Sequence, residues 1–269
     1  MTGFPVVAKR VLAQDITLLQ IEAPRVAHKA RAGQFVMVRV DEQGERIPLT
    51  IAERHPDKGT IAIVFQAVGF TTRQMAALDT GDSFADILGP LGRPTEVRRY
   101  GRVVCVAGGV GIAFIYPEIN AFSEAGNEII SILGARTKDL LFYVQEIDAL
   151  SSQLHLASDD GSVGHHGLVT EVLENLIEGG ERYDYCIAIG PIPMMKATVA
   201  LTKKYQLPTL VSLDPIMVDG TGMCGSCRVT VGGEVKFACV DGPDFDGHLV
   251  DFDELAKRKL AFREEEARC

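Results

Sequence analysis

Val104-Cys105-Val106-Ala107-Gly108-Gly109-Val110-Gly111-Ile112-Ala113 is an apolar run that passes through a glycine loop into a helix-like pattern. A strand apolar at every position is buried on both faces, as the strands of a parallel sheet are. The glycine turn into a helix aims free N–H groups at a phosphate. The spacing is not the dinucleotide fingerprint G-x-G-x-x-G, and a strand–glycine–helix junction serves packing about as often as binding. Further apolar strands, EIISILGA, LHLASDDGS and YCIAIGP, alternate with helical patterns in FIYPEINAFSEAG, TKDLLFYVQEIDALS, GLVTEVLENLIEGG and PMMKATVALTKKY. In the third of these helices Leu168, Val172, Leu173 and Leu176 recur at helical spacing. The alternation predicts an α/β parallel-sheet domain over 99–213. Ligands of such sheets sit at the carboxyl ends of the strands, where the strand order reverses. Those ends carry Gly134-Ala135-Arg136, Ser158-Asp159-Asp160-Gly161 and Gly190-Pro191. Arg136 can meet a phosphate and Asp159 or Asp160 a ribose hydroxyl, although a helix cap or a solvated charge explains each equally well.

Upstream, residues 1–98 change texture. PVVAKRVL, ITLLQIEA, QFVMVRV, RIPLTIAE and TIAIVFQAV are short alternating strands with turns such as DEQGER and RHPDKG between the later ones, a pattern that fits an antiparallel β-barrel interrupted by one helix, TRQMAAL. Arg46, Pro48 and Thr50 fall at alternate positions and so share one face, which can hold a phosphate and a ring. Gly69-Phe70-Thr71-Thr72 leads into the helix, where Thr71 or Thr72 would cap an N-terminus that faces an anion. Taken singly, each is ordinary strand or capping chemistry.

Downstream, within residues 214–269, the short window from Cys224 to Cys239 holds half of the six cysteines. Cys224-Gly225-Ser226-Cys227 is followed, after the predicted hairpin RVTVGGEVKFAC with its Gly232-Gly233 turn, by Cys239. Plant-type [2Fe–2S] proteins place a ligand five positions before such a pair. Here that position is Asp219, and a carboxylate can bind iron through oxygen, so Asp219, Cys224, Cys227 and Cys239 make a four-ligand set. Gly220, Gly222 and Gly225 let backbone N–H groups turn toward cluster sulfurs. A structural zinc site or three packed cysteines is the plainer alternative, but zinc usually draws on two knuckle-like pairs and no second pair is present. His248 is expected at the surface, Cys105 and Cys186 as small buried hydrophobes, and Cys269 has no assigned role. A polar helix, FDELAKRKLAFREEEA, ends the segment.

The chain has 269 residues, 27 Lys+Arg against 36 Asp+Glu, and a formal charge of −9. An acidic balance without a basic block argues against nucleic-acid or anionic-membrane partners. No apolar run approaches the roughly 18 residues of a membrane span, and the N-terminus lacks a signal-peptide pattern, so a cytoplasmic protein is expected.

A barrel with R-x-P-x-T, an α/β domain with GGVG and GP-x-x-MM, and a C-terminal cysteine loop together resemble the ferredoxin–NADP reductase superfamily over nearly the whole chain. The segment from SLDPIMVDGTGMCGSC to FDEL resembles the flavin and [2Fe–2S] small subunits of NADH-dependent ferredoxin–NADP oxidoreductase, also described as sulfide dehydrogenase. The electron-transfer subunit of dihydroorotate dehydrogenase B is a more distant likeness. That relative is expected to use four cysteines, and Asp219 sides with the first family. The resemblance implies FAD on the barrel, with Arg46, Gly69, Thr71 and Thr72 near the pyrophosphate and Pro48, Leu49 and Thr50 beside the isoalloxazine. It implies NAD(H) or NADP(H) over Gly108, Gly109, Gly111, Arg136, Asp160, Gly190, Pro191 and Met194. Two departures are visible: Leu49 stands where many members have an aromatic, and Phe114 stands where a proline is usual. The implied activity is an oxidoreductase subunit without a side-chain acid or base, passing electrons to a larger flavin and iron–sulfur partner, with ferredoxin served through the complex and electron bifurcation as its setting. The alternative is electron transfer to dihydroorotate dehydrogenase; a nucleotide- and zinc-binding module is the non-enzymatic alternative.

Overall fold

Seven antiparallel strands form the first sheet: β1 (Phe4–Ala13), β2 (Ile16–Glu22), β3 (Phe35–Arg39), β4 (Ile47–His55), β5 (Thr60–Gln66), β6 (Ser83–Phe84) and β7 (Asp86–Leu91). They pair in the order β6-β1-β2-β5-β4-β3-β7. The two edge strands are separated in sequence by Ala85 alone, whose N–H donates to the carbonyls of Arg39 and Val40. The sheet therefore curls back on itself and leaves little open edge. Leu19, Ile21, Val36, Ile51, Ile63 and Phe65 fill the interior. Helix α1 (Pro24–Lys29) adds Val26 and Ala27 to that core, and helix α2 (Phe70–Ala77) adds Met75. The sequence pattern did not reveal α1, β6 or β7, which are short and depend on the barrel for their burial.

The computed structural model describes residues 3–261. The barrel forms one unit with Asp214–Pro243 and the described residues from Asp253 onward; Glu96–Leu213 and Asp244–Phe252 form the other. The second unit holds β8 (Arg102–Gly108), α3 (Gly111–Glu124), β9 (Glu128–Ala135), α4 (Val144–Asp148), β10 (Gln153–Ser158), β11 (His165–His166), α5 (Val169–Glu178), β12 (Tyr185–Ile189), α6 (Ile192–Lys204) and β13 (Thr209–Ser212). The cysteine segment in the first unit contributes β14 (Arg228–Val231), β15 (Glu234–Phe237), α7 (Ala238–Asp241) and, after β16 (Asp244–Asp246), α8 (Phe252–Lys259). The second sheet runs β11-β10-β9-β8-β12-β13-β16, parallel except for β16, which pairs antiparallel with β13. Val103 to Ala107 are all 0% exposed, so both faces of β8 are covered, as its unbroken apolar run requires.

Several local expectations are corrected. The single helix expected over 137–151 is a 3-10 turn at Lys138–Leu140 followed by the short α4. Between them Tyr143 adopts φ +56, and buried Phe142 and Tyr143 pack together, Tyr143 also against Tyr116, so tertiary aromatic packing overrides the helical pattern. On α5 the buried stripe is Val169, Val172, Leu173 and Ile177; Leu168 is the exposed N-cap residue and Leu176 is half-buried. His248 is half-buried, with Nε2 3.1 Å from Thr202 Oγ1, which also accepts from Thr209 Oγ1 at 2.7 Å. Cys105 and Cys186 are fully buried in their strands. The final helix is described to Lys259; its expected continuation from 262, and Cys269, lie outside the described residues.

Candidate functional site

On the barrel, β4 alternates as expected. Ile47, Leu49 and Ile51 belong to or pack on the core, while Pro48 and Thr50 are half-buried on the opposite face and Arg46 is exposed. The Leu49 side chain thus faces the barrel interior, and what it offers a ring on the Pro48 face is its main chain. The Arg46 guanidinium binds Asp86 Oδ2 through Nη2 at 2.7 Å and Nε at 3.2 Å. Helix α2 is capped differently from the expectation. Gly69 is the N-cap, and Thr72, three positions on, reaches back to accept from the N–H groups of Gly69 at 2.9 Å and Val68 at 3.1 Å. Thr71 caps nothing. Its hydroxyl is buried and donates to Glu45 Oε1 at 2.5 Å. Glu45 and Asp86, which the sequence reading did not single out, are thus the partners of Thr71 and Arg46 in two separate pairs. No local motif marks such partners, because the pairing spans 26 residues in one case and 40 in the other.

In the α/β unit the strand order reverses between β8 and β12, since β9 and β10 extend one side and β13 the other. Gly108 to Gly111 end β8, and Gly190-Pro191 end β12, so two of the expected loops flank the switch point. Gly111 opens α3. A Cβ there would lie 2.4 Å from the Ile189 carbonyl oxygen, so only glycine lets helix and strand approach this closely. Met194 in the first turn of α6 covers the loops: a Cβ on Gly108 would lie 2.7 Å from its sulfur, and one on Gly190 2.8 Å from its methyl. Arg136 and Asp160 are exposed at the ends of β9 and β10, and the Asp160 N–H donates to the Arg136 carbonyl at 3.2 Å. The Asp160 carboxylate accepts from the Ser162 hydroxyl at 2.6 Å and its N–H at 3.0 Å, which holds its pKa below the ordinary value.

The cysteine segment is braced against the barrel. Gly220, at φ +74, sits where a Cβ would meet Met37 at 2.7 Å and Leu91 at 2.9 Å. Cys227 and Cys239 are each 2% exposed and their sulfurs are 3.2 Å apart. Burial, then the neighbouring Cys227, pushes the Cys239 thiol up to about 12. Cys224 is exposed, and contact with the Ser226 hydroxyl, at 3.0 Å, lowers its pKa. Asp219 accepts from the N–H groups of Thr221 at 2.7 Å and Cys224 at 2.9 Å, and these amides, Thr221 first, hold its pKa low. The fold thus brings two of the four expected ligands together. Among the described residues no three His, Cys, Asp or Glu side chains converge closely enough to hold a metal ion. The donor chemistry nonetheless suits iron: a buried sulfur pair, a third thiol three positions before Cys227 on a glycine-lined loop, and a carboxylate already tied to that thiol's own amide. Among the described residues no helix is long and apolar enough to cross a membrane.

Residues 214–251 match the iron–sulfur cluster binding domain of dihydroorotate dehydrogenase B. The chain is 49% identical over 261 residues to a dihydroorotate dehydrogenase B electron transfer subunit homolog of Thermotoga maritima, covering 97% of this chain and 92% of the other. It is 34% identical over 251 residues to the dihydroorotate dehydrogenase B electron transfer subunit of Shouchella clausii, covering 89% and 94%. Among solved structures, a chain of the NADH-dependent reduced ferredoxin–NADP oxidoreductase, a structure described for flavin-based electron bifurcation, superposes with TM-score 0.94 at 47% identity, over 100% of this chain and 96% of that one.

Proposed function

The chain belongs to the family of dihydroorotate dehydrogenase B electron-transfer subunits and their homologues, and from that membership we propose that it is an electron-transfer flavoprotein subunit that passes electrons between NAD(H), FAD and a [2Fe–2S] cluster to a larger partner, as in NADH-dependent ferredoxin–NADP oxidoreductase. The observation that carries this reading is that the likeness runs through the barrel, the α/β unit and the cysteine segment in one order. FAD, when bound, supplies the conversion between the two-electron chemistry of a nicotinamide and the one-electron chemistry of an iron–sulfur cluster.

The residues of the barrel, the α/β unit and the cysteine segment divide that work. Arg46, Thr71 and the Gly69–Thr72 turn hold the flavin pyrophosphate, exchanging the carboxylates of Asp86 and Glu45 for it, while Pro48, Thr50 and the Leu49 main chain border the ring. The α3 N-terminus with Gly108, Gly109 and Gly111 takes the nicotinamide dinucleotide's phosphates, assisted by Arg136, and the Gly190-Pro191 turn and Met194 wall the crevice at the switch point. Asp160 faces a ribose. Cys227, Cys239, Cys224 and Asp219 hold the cluster, the last two by releasing Ser226 and the loop amides. Exposed Val218, Met223 and Val240 lie in the same cysteine segment as the exposed Cys224 and form the apolar contact for the larger flavin and iron–sulfur subunit. The setting is cytoplasmic.

Flavin, iron, sulfide and subunit analysis of the anaerobically isolated complex tests this. FAD, equal iron and sulfide, and a larger partner with its own clusters are expected. The matched cluster-binding domain favours a second reading, delivery of electrons between NAD and dihydroorotate dehydrogenase, and co-purification with an FMN-containing partner would decide for it. Stoichiometric zinc without flavin would overturn both.

A further inference from the structure

Three arginines donate to main-chain carbonyls of the cysteine segment. Arg228 Nη1 reaches the Gly225 oxygen at 3.3 Å, Arg258 Nη2 the Ser226 oxygen at 3.1 Å, and Arg93 Nε the Val240 oxygen at 3.2 Å. Each acceptor adjoins a cysteine in sequence: Gly225 follows Cys224, Ser226 precedes Cys227 and Val240 follows Cys239. In a chain of formal charge −9 this gathers cations where the surface as a whole is acidic.

The three differ in setting. The Arg93 side chain is 69% exposed and faces the Asp241 carboxylate at 3.6 Å, and Arg228 is exposed. Water screens both, and the Asp241 carboxylate screens Arg93 further. Arg258 is half-buried on α8, and its Nε is sealed from solvent with no hydrogen-bond partner among the described residues. On the same helix Lys259 Nζ binds Asp214 Oδ2 at 2.5 Å, so α8 is tied to both the start and the tip of the segment. A guanidinium held there acts on its surroundings with little screening.

We propose that Arg258 is a positioning residue that raises the reduction potential of the cluster, acting through the Ser226–Cys227 peptide; this rests on the reading that the segment holds a [2Fe–2S] centre. The Ser226 oxygen and the Cys227 N–H belong to one peptide unit. Donation to the oxygen polarises that unit and strengthens the N–H as a donor on a ligand's own main chain. When one electron arrives from reduced flavin, the centre gains one negative charge while no bond is made or broken. Hydrogen bonds and fixed positive charge nearby favour that reduced state and so raise the potential.

The test is an EPR-monitored redox titration of the anaerobically isolated protein beside Arg258→Gln, Arg258→Lys, Arg93→Gln and Arg228→Gln, with iron and sulfide assayed in parallel. Arg258→Gln is expected to keep its iron while its ratio of reduced to oxidised cluster at fixed potential falls about tenfold, which is ~59 mV for a one-electron couple. Arg258→Lys, which keeps the charge, should recover most of the shift, and the two exposed arginines should move the ratio less than about twofold, because solvent screens them. An unchanged midpoint in Arg258→Gln, or an equal shift in Arg93→Gln, overturns the proposal. If Arg258→Gln loses iron, restoration by Arg258→Lys at a near-native midpoint supports the role of charge, whereas loss in both marks a structural clamp and overturns it. Absence of any iron–sulfur signal in the unsubstituted protein would overturn the cluster reading itself, and the inference with it.

Discussion

At the scale of single residues, the four expected ligands have unequal environments despite one sequence motif. Cys227 and Cys239 are buried together, whereas Cys224 is exposed and its thiol is shifted toward the reactive thiolate by Ser226. In the iron-free, reduced chain a thiol-alkylating reagent is therefore expected to label Cys224 at least about tenfold faster than either partner, since reaction needs both access and thiolate. Peptide mass spectrometry over a time course reads this, and equal labelling of Cys227 would sink it. The spacing that marks the four residues as a set was legible because loop ligation is a local pattern. What each residue holds in the meantime was not: Asp219 is bound to two amides, and Arg46 and Thr71 to two acids, through contacts that side-chain geometry alone arranges.

At the scale of elements, long apolar strands were read correctly and short or context-dependent pieces were not. β8, β9 and β12 declare themselves because burial on both faces leaves no polar position, while α4 loses its expected length to the packing of Phe142 and Tyr143. The junction of β8 and α3 shows how tightly the readable elements are set. Gly111→Ala would place a methyl against the Ile189 carbonyl and the Gly190 Cα, both main-chain atoms that cannot rotate aside. The expected loss is ~1–3 kcal/mol of stability, as for other overpacked sites, together with weaker dinucleotide binding. A urea midpoint equal to that of the parent protein would show that the helix and strand separate freely.

At the scale of the whole molecule, the cysteine segment is the part least able to stand on its own core. Its β14–β15 hairpin is a sheet of two strands, a size that is marginal without other support. Removing iron with a chelator is expected to leave the far-UV circular dichroism of the two large sheets nearly unchanged while loosening the hairpin backbone, so that trypsin cuts faster after Arg228 and Lys236. Equal cleavage with and without iron would count against the cluster as the brace of this segment. The amino-acid sequence by itself determined the strand and helix classes, the glycine loops, the ligand spacing and the order of parts, because periodicity, turn chemistry and motif spacing are properties of neighbouring residues. Only the tertiary structure decided that β6 and β7 nearly close the barrel, that β16 leaves the cysteine segment to pair with β13, and that Arg258 reaches Ser226. Those contacts join residues far apart in the chain, and their partners are selected by the whole packed core rather than by any local preference.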